Sequence, residues 1–464
     1  MPAQIHLRAT TPPAQFNELV WGQHIFNSRR DTSRTPFAVC KAETVSDIVA
    51  CVQLAKANNC RVSVRSGGHS WAAWSVRHDA VLIDLLFLDQ KEGEAGSEYE
   101  YDAGTKVVRC PPSATGRDLN EFLGEQEEGG RGWACESLVG IDVVTADGEV
   151  KHCSATENSS LFWAARGAGP GFPAIATRLH LATRPLTSLY QTLYFLPPSS
   201  FTAAHAWISS ITPTLPPSFE VVMVTGYFPL NDYAEPMALI NILAFLPPSS
   251  PSASTKDEDE EDEDDIAATL FEPIHEALPS ELRSSLLFTQ ECAPTDLEEQ
   301  YAMQTAANPE GHRYIVDNVY TENNTENIGA LLEPVFTSLP TKQSTALWYS
   351  MQCTTRQQPK DMALSLESGH YVALYAVCEE EKDDGKCEGW VRDGMSKLER
   401  HSVGSYLGDA DFRARTTRFW GAEEGRRLNE VRREWDPEGR VCGFLDEGDG
   451  SGVSGLGNEF EWKR

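Results

Sequence analysis

The sequence predicts an α+β fold in two parts, and three observations predict it. Through the first 190 of 464 residues, short apolar strands alternate with amphipathic helices. Beyond about residue 190 the texture changes to β-rich runs such as VVMVTGYF (221–228), separated by polar connectors, with Pro-Pro-Ser at 197–199 and 247–249. A late strand, HYVALYAVC (370–378), precedes a closing segment that begins at GSYLGDADF (404–412).

Each element follows from its own residues. A helix is expected over 45–57, because Thr44 and Asp47 form a capping-box pair and Val45, Ile48, Val49 and Val52 share one face. Asn58-Asn59 ends it, and RVSVR (61–65) alternates as a half-buried strand. Further strands are expected at AVLIDL (80–85) and 106–110, then a short helix at 115–123 with Leu119, Phe122 and Leu123 on one face. GIDVVTADGEVKHC (140–153) reads as a hairpin turning at Asp147-Gly148. The helix SSLFWAAR leads through GAGPG (167–171) into the strand AIATRLHLAT, and near the end Pro437 stops a helix within EGRRLNEVRREW. No internal repeat is present.

Composition narrows the functions. Hydrophobic residues make up 41% of the chain and charged residues 23%, an ordinary globular balance. The net charge is -30, and without the nine-acid run DEDEEDEDD at 257–265 it is still -21. Such an acidic surface argues against nucleic acid or an anionic membrane as partner. The segment 247–265, Pro and Ser followed by unbroken like charge, is expected to be a disordered, solvated loop. No run reaches the ~20 apolar residues of a membrane helix. The start, MPAQIHLRATTPP, lacks the apolar core of a secretory signal, so a cytoplasmic location with reduced thiols is expected. Eleven cysteines, an odd number without CxxC pairs, form neither a zinc pattern nor a disulfide framework.

Three chemistries compete. GAGPG invites a dinucleotide-binding reading, but such a loop follows a strand and opens a helix, and here the order is reversed. Hydrolysis lacks support, since neither GxSxG nor HExxH is present. The third candidate is RSGGHS (65–70), which follows the RVSVR strand. Taken alone it is an ordinary glycine turn with a surface histidine. Gly67 and Gly68 nevertheless leave backbone amides bare, and consecutive bare amides form an anion-binding nest beside which Arg65 adds charge-assisted donors.

Read with VLIDL, GWACESLVGIDVVTADGE and LFWAARGAGPGFPAIATRLHL in that order, the turn resembles the amino-terminal domain of flavin oxidases of the p-cresol-methylhydroxylase and vanillyl-alcohol-oxidase superfamily. The likeness is nearest to the berberine-bridge-enzyme-like branch, especially fungal members similar to 6-hydroxy-D-nicotine oxidase. It covers about residues 30–186 and returns at 404–445. The resemblance implies FAD, with the diphosphate cradled by Arg65, Ser66, Gly67, Gly68 and Ser70, and a covalent bond from His69 to the flavin ring. It places Glu136 and Val139 along the flavin and the backbone of Ile175 and Ala176 at the adenine half. It also implies an FAD-binding domain over 1–190, a substrate domain on an antiparallel sheet over 191–403, and a closing segment, 404–464, that returns to the first domain.

The expected reaction is oxidation of a C–H bond next to a hydroxyl or amine of a small molecule, with dioxygen reoxidising the flavin. A dehydrogenase passing electrons elsewhere is the rival within that class. A base must take the O–H or N–H proton, and Tyr349, Tyr371 and Tyr375 are the candidates, although each tyrosine also fits simple sheet packing. One departure stands out. Relatives carry a long glycine-rich loop, often with a second flavin-linking cysteine, where this chain has only GEQEEGGR (124–131). Neither Cys110 nor Cys135 occupies that place. The shortening reads either as coding sequence skipped in a gene model or as a natural variant with weakened flavin binding. It keeps open a non-catalytic remnant or a scaffold whose acidic loop recruits partners.

Overall fold

The capping pair at Thr44 forms as read: the Thr44 hydroxyl accepts from the Asp47 amide, and the Asp47 carboxylate accepts from the Thr44 amide. The helix it starts covers the first of the sheets in a computed structural model. That model describes residues 4–22, 24–88, 99–129, 134–230, 233–246, 262–322, 328–351, 361–366, 368–410, 415 and 417–443. The chain divides into two units. Unit 1 comprises Met1–Arg184, Pro359–Leu366 and Leu407–Arg464; unit 2 comprises Pro185–Gln358 and Glu367–Tyr406. The return of 359–366 to unit 1 carries no signal that the sequence reading used.

Unit 1 contains β1 (Gln4–Leu7), α1 (Pro13–Trp21), β2 (Ala38–Lys41), α2 (Val45–Ala57), β3 (Val62–Arg65), β4 (Val81–Asp84), β5 (Glu100–Asp102) and β6 (Val107–Cys110). It continues through α3 (Gly116–Gly124), β7 (Glu128–Gly129), α4 (Ala134–Ser137), β8 (Leu138–Thr145), β9 (Val150–Ser154), α5 (Ser159–Ala165) and β10 (Ala174–Ala182). One sheet has the order β1-β2-β4-β3, in which β2, β4 and β3 run parallel. Ile48, Cys51, Val52 and Ala55 of α2 bury against Val62, Val81 and Ile83 of these strands. The residues of the closing segment reach the outer edge of β3: Val62 N–H donates to the Arg440 carbonyl at 2.8 Å, and Cys442 N–H donates to the Val62 carbonyl at 2.8 Å. The second sheet, β5-β6-β10-β8-β9, is antiparallel, and β8–β9 is the hairpin expected at Asp147-Gly148.

GAGPG is the helix-to-strand connection that its order predicted. Gly167 takes φ +121°, and a Cβ there would lie 2.1 Å from the Leu364 amide nitrogen. That close approach lets Leu364 N–H donate to the Arg166 carbonyl at 2.9 Å, while the Trp420 indole donates to the Gly167 carbonyl at 3.0 Å. The glycines therefore serve chain packing and not a phosphate.

Unit 2 follows a two-residue strand β11 (Arg184–Pro185) at the boundary. Its elements are β12 (Leu189–Leu196), α6 (Phe201–Ile211), β13 (Phe219–Gly226), β14 (Met237–Phe245), α7 (Glu263–Ala277), α8 (Ser280–Ser285), β15 (Phe288–Thr295) and α9 (Leu297–Ala307). Then come β16 (Arg313–Thr321), α10 (Ile328–Phe336), β17 (Thr345–Ser350), β18 (His370–Cys378), α11 (Asp384–Leu398) and β19 (Ser402–Gly404); the later helix α12 (Ala422–Trp435) belongs to unit 1. Eight antiparallel strands form one sheet, β15-β12-β14-β13-β17-β18-β16-β19. Helices α6, α7, α10 and α11 bury one face of it around Trp207, Phe271, Phe336, Trp348 and Leu374.

The acidic run requires a correction. Asp262 caps α7 and Glu263, Asp264 and Asp265 form its first turn, where carboxylates meet the positive end of the helix dipole. The expected loop thus ends before these residues, and 247–261 lies outside the described residues. Among the described residues no helix is long and apolar enough to cross a membrane.

His205 of α6 lies inside the unit 2 core, its ring 4.6 Å from that of Trp348 and its Nε2 without a partner among the described residues. Burial pushes its pKa down to about 3, and the His370 charge pushes the same way. The folded chain therefore stays unprotonated at His205 where the unfolded chain, with an ordinary pKa near 6.5, takes up a proton. The stability this neutral histidine permits is full above about pH 6.5 and falls as pH drops from there toward 3. Urea unfolding should show His205 costing unit 2 about 2 kcal/mol between pH 7 and pH 5, and His205→Leu should remove that part of the slope. An unchanged slope in the variant would contradict this.

Candidate functional site

The RSGGHS turn begins where β3 ends, and a buried ion pair sets its position. Arg65 stands opposite Asp84 in the parallel β3–β4 register, and its guanidinium donates to the Asp84 carboxylate at 2.5 Å. It also donates to the carbonyls of Val20 at 2.8 Å and Leu19 at 3.0 Å, at the end of α1. The other Asp84 oxygen accepts from the Leu86 amide at 3.2 Å. Both side chains are almost wholly buried, at 1% and 0% exposure. Asp84 neutralises the Arg65 charge inside the fold, so the guanidinium is a strut beneath the turn.

Gly68 takes φ +71°, and a Cβ there would lie 1.7 Å from the His24 carbonyl oxygen. Only glycine permits that approach, which lets Phe26 N–H donate to the Gly68 carbonyl at 3.1 Å. Asn27 closes the bracket by donating to the Trp71 carbonyl at 2.8 Å. Ser66 is half-buried, and the Ser70 hydroxyl accepts from the Trp74 amide at 3.2 Å, which starts the following turn. Gly67 and His69 remain exposed, with the His69 ring tilted beside Phe26 at 5.4 Å. A fixed loop with bare amides and an outward imidazole fits a phosphate-bearing cofactor and a covalent attachment to it. Behind the turn, burial lowers the pKa of His24, opposed by Asp84 and reinforced by Arg65.

The other proposed cofactor residues fall in the same unit. Glu136 is half-buried in α4, and Val139 points outward from β8 at 42% exposure. Ile175 is fully buried and packs into the same core as Val62 and Val64 of β3, so only its backbone can meet a cofactor. The β10–β8 ladder covers Ala174–Leu181, but β6 pairs only with Leu179–Ala182. The backbone edge at Ile175 and Ala176 is therefore left without a strand on the β6 side among the described residues. In the shortened interval, α3 runs into a buried Glu128, which accepts from Tyr101 at 3.0 Å, from Thr183 at 2.9 Å and from Lys106. Residues 130–133 lie outside the described residues. Cys110 is buried in β6, and burial pushes its pKa up to about 11, which removes it from thiolate chemistry.

In unit 2 the tyrosine candidates lie on the sheet face opposite the helices. Tyr349 of β17 is the direct cross-strand partner of Tyr371 of β18, and Tyr371 is the partner of Tyr320 of β16. The Tyr320 and Tyr371 rings stand 5.1 Å apart. Tyr375 is displaced along β18, opposite Thr345 and Val316, and does not join this row. The alternation of RYIVDNVYT signals Tyr320, which the sequence reading did not use. On the same row, across β13, Asn241 is buried with its Oδ1 unpartnered among the described residues. Asn318 fixes the end of this face by donating to the Tyr406 carbonyl at 2.8 Å and accepting from the Tyr406 amide at 2.7 Å.

The strut role of Arg65 has a measurable consequence. Arg65→Met should leave Asp84 charged and buried without its partner, costing about 3–5 kcal/mol and lowering the melting temperature. The double variant Arg65→Met/Asp84→Leu should regain most of that loss. If Arg65→Met melts like the wild-type chain, the guanidinium does not hold the turn.

Comparison with known proteins agrees with this geometry. A family model described as an FAD binding domain matches residues 36–128, which include the Gly-Gly turn. The chain is similar to the FAD-linked oxidoreductase janO of Penicillium janthinellum, 33% identical over 466 residues that cover 94% of this chain and 96% of the relative. In fold it is similar to Physcomitrella patens BBE-like 1, with a TM-score of 0.74 at 12% identity over 95% of this chain and 96% of that one. It is similar too to the glucooligosaccharide oxidase of Acremonium strictum, described with a 6-S-cysteinyl, 8α-N1-histidyl FAD, with a TM-score of 0.69 at 15% identity over 95% and 96% of the two chains. At those identities the structures speak for the fold alone, whereas the Penicillium relative spans nearly the whole chain. The chain therefore belongs to the FAD-linked oxidoreductases.

Proposed function

We propose that this flavoenzyme oxidises a C–H bond adjacent to a hydroxyl or amine of a small molecule, holding FAD covalently through His69. The observation that carries the reading is the exposed imidazole on a turn whose other groups are fixed from behind. When bound, FAD supplies the acceptor for the substrate hydride, and dioxygen is the oxidant that restores it. The bare amides of Gly67 and Gly68 donate to the diphosphate, and a ring nitrogen of His69 makes the attachment. The backbone edge at Ile175 and Ala176 meets the adenine half, and Glu136 and Val139 flank the flavin.

The substrate loses a proton from O–H or N–H as the hydride leaves carbon, giving a carbonyl or imine. We assign the proton acceptor to the Tyr349–Tyr371 pair, with Tyr320 beside Tyr371 as the next phenol in the row. Asn241 Oδ1, buried and unpartnered among the described residues, supports recognition of a polar substrate group on the same face, because such an acceptor is costly to leave unmet. Tyr375 is outside the row and packs the sheet.

Wild-type protein precipitated with acid should keep its yellow colour in the pellet, and His69→Ala should release all flavin. Because the ring is exposed, His69→Ala should shift stability by no more than about 0.5 kcal/mol in flavin-free protein. Acid-stable flavin in the variant would remove His69 from the site. With a substrate found from a panel of alcohols, amines and reducing oligosaccharides, anaerobic flavin reduction should slow by about 10²-fold or more in the Tyr349→Phe/Tyr371→Phe double variant at unchanged flavin content. Tyr375→Phe should stay within about twofold of wild type. Equal rates in the wild type and the double variant would place the base elsewhere.

A further inference from the structure

Strands β8, β9 and β10 bring two imidazoles and a carboxylate together outside every residue assigned to flavin or substrate. His152 stands directly opposite Asp142 across β8–β9, and His180 stands opposite Gly140 across β8–β10, one pleat away from Asp142 on the same face. His152 Nδ1 is 2.6 Å from Asp142 Oδ1, and His180 Nε2 is 2.9 Å from Asp142 Oδ2. The two rings meet edge to face at 5.2 Å. Gly140 keeps the space between them open, since a Cβ there would lie 3.0 Å from His152 Cε1 and 3.5 Å from His180 Cβ.

The surrounding charges leave Asp142 to the histidines. Arg109 on β6 and Arg178 on β10, the latter directly across from Asp142, both donate to Glu100, at 3.2 and 3.0 Å. One potential ligand atom from each of Asp142, His152 and His180 lies within 4.8 Å of the others. A tetrahedral ion bound at about 2.0–2.2 Å needs its ligand atoms about 3.3 Å apart, within the range these side chains span. Side-chain exposures of 29% for Asp142, 41% for His152 and 16% for His180 leave the group open to solvent for a fourth, water ligand.

We propose that Asp142, His152 and His180 form a binding site for a divalent first-row transition cation that staples β8, β9 and β10 together. Two neutral imidazoles and one carboxylate suit Zn²⁺ and its neighbours and disfavour Ca²⁺ or Mg²⁺, which take oxygen ligands. The site is distinct in chemistry from the flavin turn, so its occupancy is measurable with or without FAD.

The test uses full-length, tag-free protein stripped of metal with a chelator and dialysed. Titration with Zn²⁺ alone should show one saturable equivalent with a Kd of about 10 µM or tighter, and a melting temperature raised by at least about 3 °C at saturation. His152→Ala, His180→Ala and Asp142→Asn should each weaken binding at least about tenfold. His152→Gln serves where His152→Ala fails to fold. Co²⁺ in place of Zn²⁺ should give weak visible bands without the near-ultraviolet charge transfer of thiolate ligands. Absence of saturable Zn²⁺ binding below about 100 µM would overturn the proposal, as would tight binding that the three substitutions leave unchanged or a thiolate band with Co²⁺.

Discussion

A guanidinium buried between two parallel strands persists only when its charge is met within the fold. Arg65 meets its charge through Asp84 and directs both terminal nitrogens to Asp84 and the two carbonyls that end α1, while its Nε stays without a partner among the described residues. The arrangement joins three pieces of chain: β3, β4 and the helix that precedes the His24–Asn27 segment. Because the Gly-Gly turn starts at the next residue, the same contact fixes where its amides and the His69 ring emerge. Gly68 then packs its backbone against His24, and the turn has little freedom left. The covalent attachment proposed for His69 would profit from such a base, because preorganisation is what a rigid scaffold supplies.

Local signals were the legible ones. The α2 cap, the alternation of β3, the hairpin at Asp147-Gly148 and the strand HYVALYAVC all formed where their residues indicated, because each is decided by neighbours in sequence. The reversed order around GAGPG was enough to reject a dinucleotide loop. What stayed hidden depends on partners far along the chain. The position of Arg65 beside bare amides is visible in sequence, whereas Asp84, 19 residues on, is not visibly its partner. The faint signal was an Asp closing the otherwise apolar VLID strand, since a charge there must be paired when the strand is buried on both faces. The end of the acidic run was misread for a related reason. Uniform charge looks like a solvated loop until a helix beginning at its last residues gives three carboxylates a favourable dipole.

In unit 2 the sheet explains why one tyrosine pair emerges from three candidates. Strand alternation puts Tyr349, Tyr371 and Tyr375 on one face, but only cross-strand register tells which of them are neighbours. Register is a pairing property, so Tyr320 and Asn241 joined the row only once β16, β13 and β14 were in place. The helix-covered face is apolar and continuous, while the opposite face carries phenols and amides. That division separates the side that stabilises the sheet from the side that carries the proposed base. The residues named on this second face come from four different strands, and the sequence offers no motif there.

The account rests on the turn delivering His69 to the flavin. Its most direct test is peptide mapping of purified enzyme after tryptic digestion, in which cleavage at Arg65 and Arg77 isolates the peptide SGGHSWAAWSVR. Mass spectrometry of that peptide should show it carrying one flavin, with fragment ions placing the adduct on His69. An unmodified peptide from yellow protein, with all flavin recovered as free FAD or on another peptide, would contradict the account.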